Sequence, residues 1–331
     1  MEQFGAMPDG TPVHRVRLRS DQIEANFLSF GALLQDLRLA GHPHPLVLGF
    51  PAFAPYLTHS PYFGAIAGRC ANRIRDGHLE LDGTTYQLDR NFLRLHTLHG
   101  GAIGMGKRVW QIKQTTTDSV AFTILLAAGE MGFPGNLSAK VVYKLTSDAT
   151  LDIEMQATTD APTLCNLAHH SYFTLDGTGP ISSHLLQIDA ENYLAVDNEL
   201  IPTGEVRPVG DTEFDFRIPQ PISNGTPLDH NFCLAKTRRD IRKVARLTSE
   251  ISGVSLEVST TEPGLQIYDG SKIDIDVPGL AGEPMAANAG IAIEPQIWPD
   301  AHHHAGFPNP VLRPGETYRQ HTQLAFSNEA T

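Results

Sequence analysis

Apolar and polar residues alternate with a period of two along much of this chain, which is the pattern of half-buried β-strands. Val13–Leu18, for example, alternates apolar and basic residues. Turn-forming residues separate nearly all of the strand-like runs. Besides Val13–Leu18 these runs are His78–Leu81, Thr85–Leu88, Val109–Lys113, Val120–Ala127, Ala139–Leu145, Leu151–Ala157, Leu185–Ile188, Val254–Val258, Ile291–Glu294 and Gln320–Phe326. The pattern predicts a large antiparallel β structure with long connecting loops.

Local signals refine this picture. Asp82-Gly83 lies between two strand-like runs and predicts a hairpin, because this dipeptide readily supplies the positive φ angles of a type I′ turn. Helical periodicity is weak throughout, and the best helical stretch, Asp240–Leu247, is short and has no clear cap. The chain has no internal repeat of 20–50 residues and no linker-like stretch, so we expect one all-β domain spanning residues 1–331.

Composition narrows the classes of partner. The formal net charge is −12 and no block of Lys and Arg occurs, so nucleic acid and anionic membranes are poor partners and a neutral small molecule fits better. Three cysteines form no disulfide framework, and we expect reduced thiols. Met1–Gly10 lacks the apolar core of a signal peptide, and no run approaches the roughly 18 apolar residues of a membrane span. The expected compartment is therefore the cytoplasm.

Glu294 is the most informative single residue. It ends the apolar run Ile291–Ile293, where a strand is half or fully buried, and Pro295 is expected to break the ladder directly after it. Burial raises the pKa of a carboxylic acid toward the range that suits a general base. The alternative is a glutamate exposed at the end of a strand.

Two histidines could contribute to the same chemistry. His170 lies among apolar and aromatic residues, and it is either a core histidine or a general acid, since imidazole titrates near neutral pH. His99 precedes Gly100-Gly101, which suggests backbone that approaches a ligand closely, although a loop histidine beside a turn fits as well.

Other polar side chains could bind hydroxyl groups. Arg73, after Asn72, could form a bidentate contact or a surface salt bridge. Asp229 could hold a sugar hydroxyl or cap the preceding turn, and Gln266 could bind a sugar or lie on an edge strand.

The run His302-His303-His304 raises the question of a metal. Three consecutive histidines cannot all face one ion on a strand, and the i, i+4 spacing of helical zinc motifs is absent. We therefore expect ordinary loop histidines and no metal site. The sequence also contains no Walker loop, no dinucleotide-binding glycine motif after a strand and no Gly-x-Ser-x-Gly elbow, which argues against nucleotide binding and serine hydrolysis.

Taken in order, the polar segments resemble the aldose 1-epimerase (mutarotase) family from about Gly64 to Phe326. Gly68–Ile74 resembles its Gly-Arg-x-Ala-Asn-Arg-Ile segment, and Leu98–Gly101 its Leu-His-Gly-Gly motif. Each piece alone is weak, but the ordered set is specific. The remaining matching segments are Lys107–Trp110, Asn166–Leu175, Pro202–Gly204, Phe214–Arg217, Asp229–Phe232, Pro263–Gln266, Glu294–Gln296, Pro299–Ala301 and Leu312–Tyr318.

This resemblance implies a β-supersandwich and an isomerase that interconverts the α and β anomers of a hexose such as galactose or glucose. It implies Glu294 as the base and His170 as the acid, and it places His99 near the ring oxygen. Asn72, Arg73, Asp229 and Gln266 would surround the sugar hydroxyls. No metal or organic cofactor is expected, because ring opening moves no electrons between molecules and releases no group. The expected assembly is a monomer or homodimer.

Three segments depart from the family pattern. His169 stands where the family often has Asn, Tyr268-Asp269-Gly270 replaces a more usual Tyr-Thr-Gly, and Ala301–Phe307 carries the three histidines. We expect these segments near the cleft, where they would affect sugar specificity more than chemistry. The rival functions are a hexose-phosphate epimerase, a non-catalytic sugar-binding module, and a metal-dependent lyase or hydrolase that uses the histidines.

Overall fold

A computed structural model describes residues 1–177, 179–222 and 226–328. Within them the strands, numbered in chain order, are β1 (Glu2–Ala6), β2 (Pro12–Arg19), β3 (Ile23–Leu28), β4 (Leu34–Leu39), β5 (Ala65–Ala67), β6 (Arg73–Ile74), β7 (His78–Leu81), β8 (Thr84–Gln87), β9 (Thr97–Leu98), β10 (Gln111–Thr115), β11 (Ser119–Leu126), β12 (Leu137–Leu145), β13 (Thr150–Thr159), β14 (Thr163–Leu164), β15 (Ala168–His170), β16 (Tyr172–Phe173), β17 (His184–Ile188), β18 (Asn192–Val196), β19 (Pro202–Pro208), β20 (Gln220–Pro221), β21 (Asp229–Cys233), β22 (Arg242–Ser249), β23 (Val254–Thr260), β24 (Gly264–Tyr268), β25 (Ile291–Gln296), β26 (Val311–Leu312) and β27 (Tyr318–Asn328).

Helices are few and short in the described residues. The α-helix α1 spans Ala54–Thr58, and the 3₁₀ helices span Arg75–Gly77, Met105–Lys107, Glu130–Gly132, Ile181–Ser183 and Ala301–His303. None of these helices is long and apolar enough to cross a membrane.

Two large antiparallel sheets dominate the architecture. One has nine strands in the order β10-β11-β12-β13-β27-β23-β22-β17-β20, and the other has six in the order β16-β25-β24-β21-β18-β19. A third sheet has four strands in the order β1-β2-β3-β4. The prediction of an all-β fold built from large antiparallel sheets is confirmed.

The sheets pack face to face through apolar side chains. In strand β12, for example, buried residues alternate with more exposed ones, so one face of the strand is apolar and packs against the neighbouring sheet. Tyr143 of β12 stacks on Phe27 of β3 with ring centroids 4.4 Å apart, and Phe173 of β16 approaches Phe326 of β27 at 6.4 Å. One continuous apolar core therefore joins the four-, six- and nine-stranded sheets.

Several local predictions are confirmed and two are wrong. Asp82 and Gly83 both have positive φ and join β7 to β8, as a type I′ turn requires. The helix-like stretch Asp240–Leu247 is instead part of strand β22 from Arg242 onward, since Val244, Ala245 and Leu247 pack in the core. Pro295 does not break its ladder, because β25 continues through it and Pro295 is paired with Leu265 of β24. The three cysteines are free thiols.

Candidate active site

One face of the six-stranded sheet carries four of the polar residues that frame the site. Glu294 on β25 lies directly opposite Gln266 on β24, and Tyr268 on β24 lies directly opposite Asp229 on β21. Directly opposed residues of an antiparallel pair project from the same face, and so do residues two apart on one strand. The register therefore collects these four side chains on one side of the sheet.

Asn72 and His99 occupy strained turns that face this sheet. Both have left-handed backbone, with φ of 62° and 50°, a conformation of order 1 kcal/mol less favourable for most residues that the surroundings must hold. The Asn72 N–H donates to His99 Nδ1 at 3.1 Å, and the His99 N–H donates to the Asn72 carbonyl at 3.0 Å. Because Nδ1 accepts, the ring proton of neutral His99 is on Nε2, which makes His99 a hydrogen-bond donor.

The glycines after His99 have a structural role. Gly100 has a φ of +82°, and a Cβ atom there would lie 2.1 Å from the carbonyl oxygen of Gly68. Gly101 similarly packs on the Met131 side chain. The close approach predicted from Gly100-Gly101 is thus to other segments of the same chain and not to a ligand. The His99 side chain itself lines the cavity.

His170 and Glu294 meet across the site. Strand β15 pairs with β5, and His170 Nε2 lies 3.5 Å from Glu294 Oε1. The adjacent His169 projects to the other side of the strand, where its Nε2 is 3.2 Å from Ser171 Oγ and its ring lies 5.9 Å from that of Tyr143. The expectation that His169 lies at the cleft is wrong, because alternation along β15 directs its side chain into the core.

Burial sets the protonation of this pair. Desolvation raises the pKa of Glu294 well above its usual 4.5, and the charge of Asp229 raises it further. Desolvation also lowers the pKa of His170 to about 4, against small opposing effects of a backbone hydrogen bond and Asp229. The expected upward influence of Asp229 on His170 is present, but burial outweighs it. Burial therefore disfavours the charged form of both groups, the carboxylate of Glu294 and the imidazolium of His170.

Asp229 connects the remaining polar residues. Its Oδ2 accepts a hydrogen bond from an Arg73 guanidinium nitrogen at 2.9 Å, and its Oδ1 accepts one from Gln266 Nε2 at 2.6 Å. The Arg73 N–H donates to Asn72 Oδ1 at 2.8 Å. Arg73 is buried, so the ion pair fixes both side chains, and neither the surface salt bridge nor the turn cap considered from the sequence occurs.

Asn72, Arg73, His99, His170, Asp229 and Glu294 line a cavity of about 190 Å³, whereas Gln266 does not line it and reaches the site only through its hydrogen bond to Asp229. Ligand pockets for drug-sized molecules measure about 300–1,000 Å³, so this cavity suits one small ring. Glu294 Oε2, His170 Nδ1 and Arg73 Nε are buried atoms with no hydrogen-bond partner among the described residues. The cavity is lined by Pro61, Tyr62, Asn72, Arg73, Phe92, Leu98, His99, His170, Tyr172, Asp229, Tyr268, Lys272 and Glu294.

Aromatic walls and a lysine were not identified from the sequence. The Tyr62 ring lies 4.6 Å from that of His99 and 5.9 Å from that of His170, and Phe92 lies 4.8 Å below the Arg73 guanidinium. Lys272 lines the rim. Nothing local marks Tyr62 or Phe92, because each comes from a loop whose position depends on distant contacts. Lys272 follows Tyr268–Gly270, a segment that departs from the family pattern and was expected near the cleft. That departure is the one sequence signal that could have indicated Lys272 as a cavity residue.

The sequence comparisons decide which family shares this arrangement. The profile of the family described as aldose 1-epimerase matches residues 14–325. The chain belongs to the aldose 1-epimerase family. It is 39% identical to the galactose mutarotase of Rattus norvegicus over 98% of this chain and 97% of that protein, and 35% identical to the aldose 1-epimerase of Escherichia coli K12 over 97% of each.

Solved structures of aldose epimerases have the same fold. An aldose epimerase homologue from C. elegans superposes with a TM-score of 0.90 at 32% identity, covering 96% of this chain and 99% of that one. Galactose 1-epimerase from Lactobacillus acidophilus superposes with a TM-score of 0.85 at 26% identity, covering 98% and 97%. The family resemblance and the mutarotase-like fold expected from the sequence are both confirmed.

Proposed function

We propose that this protein is an aldose 1-epimerase that interconverts the α and β anomers of a hexose of the galactose or glucose type by opening and reclosing the sugar ring. The observation that carries the proposal is the buried His170–Glu294 pair, whose facing atoms are 3.5 Å apart. Burial favours the neutral form of each group, and the proposal assigns one shared proton to the pair. Ring opening requires one group to accept a proton and another to donate one.

In the proposed mechanism the proton shared by the pair moves with the reaction. Sugar hydroxyls that donate to Glu294 Oε2, which lacks a partner in the described residues, favour its carboxylate form and leave the proton on His170. Glu294 then takes the proton of the anomeric hydroxyl while His170 protonates the ring oxygen, and the bond between C1 and the ring oxygen breaks. Rotation about C1–C2 presents the other face of the aldehyde, and the two transfers reverse.

The other cavity residues have positioning roles in this proposal. His99 donates from Nε2 toward the ring oxygen, where it stabilises developing charge. Asp229, held by Arg73 and Gln266, accepts from sugar hydroxyls, and Arg73 and Asn72 supply further polar contacts. The aromatic rings of Tyr62, Phe92 and Tyr172 pack against the apolar edges of the sugar and exclude water. A single domain over residues 1–331, a monomer or homodimer, and a cytoplasmic location stay predictions.

Polarimetry tests this function directly. Freshly dissolved α-galactose and α-glucose should each lose their excess rotation faster with the protein than without it. A parallel titration of sugar binding separates an enzyme from a binding module, because binding with no rate increase would contradict the proposal.

A hexose and its 6-phosphate should be compared in the same assay. We expect the neutral sugar to be preferred, because Arg73 and Lys272 are the cations of the described lining and Arg73 is already paired with Asp229.

The pH dependence of kcat/KM should be bell-shaped with an acid limb near pH 4. Below the lowered pKa of His170, about 4, the pair gains a second proton and has no base. Above the raised pKa of Glu294 the pair loses its only proton and has no acid. Rates should be measured by polarimetry with circular dichroism recorded at each pH to confirm folding. An acid limb at about 6.5, the pKa of an ordinary imidazole, would contradict the assigned burial of His170.

A further inference from the structure

Asp300 carries a buried carboxylate that the sugar site does not use. Its side chain is fully buried, and Oδ1 accepts hydrogen bonds from the Arg75 N–H at 2.9 Å and from His303 Nδ1 at 2.7 Å. Oδ2 has no hydrogen-bond partner among the described residues; it lies 3.6 Å from His304 Nε2, which also lacks one, and 3.8 Å from Arg75 Nε. The Arg75 guanidinium balances part of the charge but lies beyond hydrogen-bond distance, so this buried oxygen can still accept a closer cation or donor.

Two histidines present nitrogen atoms beside this carboxylate. The three consecutive histidines lie outside the strands, as expected, and Ala301–His303 forms a turn of 3₁₀ helix. His302 Nε2 lies 3.0 Å from the carbonyl oxygen of His78, and since a carbonyl only accepts, Nε2 carries the proton and Nδ1 keeps a free lone pair. One ligand atom each from Asp300, His302 and His303 lie within 4.8 Å of one another.

The donor atoms select the kind of ion. Two imidazole nitrogens and one carboxylate oxygen suit Zn²⁺ and similar transition metals, whereas Ca²⁺ and Mg²⁺ prefer sites built from oxygen. Tetrahedral bonds of about 2.0–2.1 Å place ligand atoms roughly 3.4 Å apart. Ligand atoms that lie within 4.8 Å can reach that spacing through small side-chain rotations.

A second group, Asp152, Glu154 and His321, has the same spacing but a weaker case. The carboxylate of Asp152 already accepts from His321 Nε2 at 2.9 and 3.0 Å and from Gln323 Nε2 at 2.8 Å. Asp152 has no unsatisfied buried oxygen, and Glu154 is exposed. This group therefore serves as a matched control.

We propose that Asp300, His302 and His303 form a binding site for a divalent transition-metal ion of the Zn²⁺ type. The site has a structural role. Asp300 holds the Arg75 backbone, two residues from Arg73, and none of the three proposed ligands lines the sugar cavity, so the expectation that Ala301–Phe307 lies near the cleft is wrong. A bound ion would brace this turn without entering the reaction.

Isothermal titration of tag-free, full-length protein with ZnCl₂, after chelator dialysis, tests the proposal. We expect one ion per chain and a Tm that rises with ZnCl₂, with no comparable effect of MgCl₂. His302→Gln and His303→Gln should each weaken Zn²⁺ binding by about 10–100-fold. His321→Gln, in the control group, should leave the affinity unchanged.

Mutarotation is the check that the variants fold. His302→Gln and His303→Gln should keep the wild-type rate, because their side chains do not line the cavity. The proposal is overturned if the wild-type protein takes up no stoichiometric Zn²⁺. It is equally overturned if both variants bind Zn²⁺ as wild type does, or if only His321→Gln loses binding.

Discussion

Glu294→Gln is expected to lower kcat for anomer interconversion by about 10²–10⁴-fold, the usual contribution of one positioned proton-transfer group. Glutamine keeps the shape of glutamate and suits the buried position, but its amide cannot take the proton of the anomeric hydroxyl. Glu294 is buried and its pKa is raised, so burial favours its neutral form before sugar binds. The neutral substitution should accordingly leave folding nearly unchanged.

Initial rates with α-galactose over a range of concentrations would separate kcat from KM in this variant. The matched control is Glu80→Gln, which changes an exposed glutamate on β7 outside the cavity and should have the wild-type rate. If Glu294→Gln turns over sugar within a few-fold of wild type while remaining folded, Glu294 is not the base.

His170→Asn should lower kcat by a similar factor of about 10²–10⁴, because no group is then positioned to protonate the ring oxygen. His99 cannot replace it readily. Its Nδ1 accepts the Asn72 N–H, and burial lowers its pKa below 6.5, with the charges of Arg73 and Lys107 acting in the same direction in this variant. His99 should therefore remain a neutral donor of a hydrogen bond.

The neighbouring residue provides the control for His170. His169→Asn introduces the residue that the family resemblance led us to expect at this position, on the side of β15 that faces Tyr143 and not the cavity. Its kcat should stay close to wild type, and any effect should appear in the Tm. A large loss of kcat in His169→Asn with an active His170→Asn would reverse the assignment of the acid.

Sequence patterns predicted the fold where burial is one-sided. Strand β12 alternates buried and exposed residues, so its period of two is visible in the sequence. Strand β25 is buried along its whole length, and there the alternation disappears. The prediction that Pro295 breaks the ladder was wrong. Proline lacks the N–H, but its carbonyl accepts a hydrogen bond from Gln320 Nε2, and the residues on either side of it remain paired with β24. The prediction that Asp240–Leu247 is helix-like was wrong because a short apolar run does not distinguish a helix from a strand, and most of this run lies in strand β22.

The site was predictable only in part, because its contacts join residues that are far apart in the sequence. Local pattern alone left Glu294 and His170 with structural alternatives, and the ordered family segments selected both. The Arg73–Asp229 ion pair joins residues 156 positions apart, which no local pattern contains. The unsatisfied oxygen of Asp300 is likewise a property of packing. The sequence suggested Glu294 and His170 as the acid–base pair. The distance between them and the direction of their pKa shifts depend on how the chain folds.

The most direct test of the shared proton is kcat of the double variant Glu294→Gln/His170→Asn, measured by polarimetry beside the two single variants. Groups that act as one unit have strongly non-additive effects. The account predicts that the double variant is little slower than the slower single variant, because either substitution already stops the exchange of the proton. A loss of kcat equal to the product of the two single losses would show that the residues act independently and would contradict the central claim.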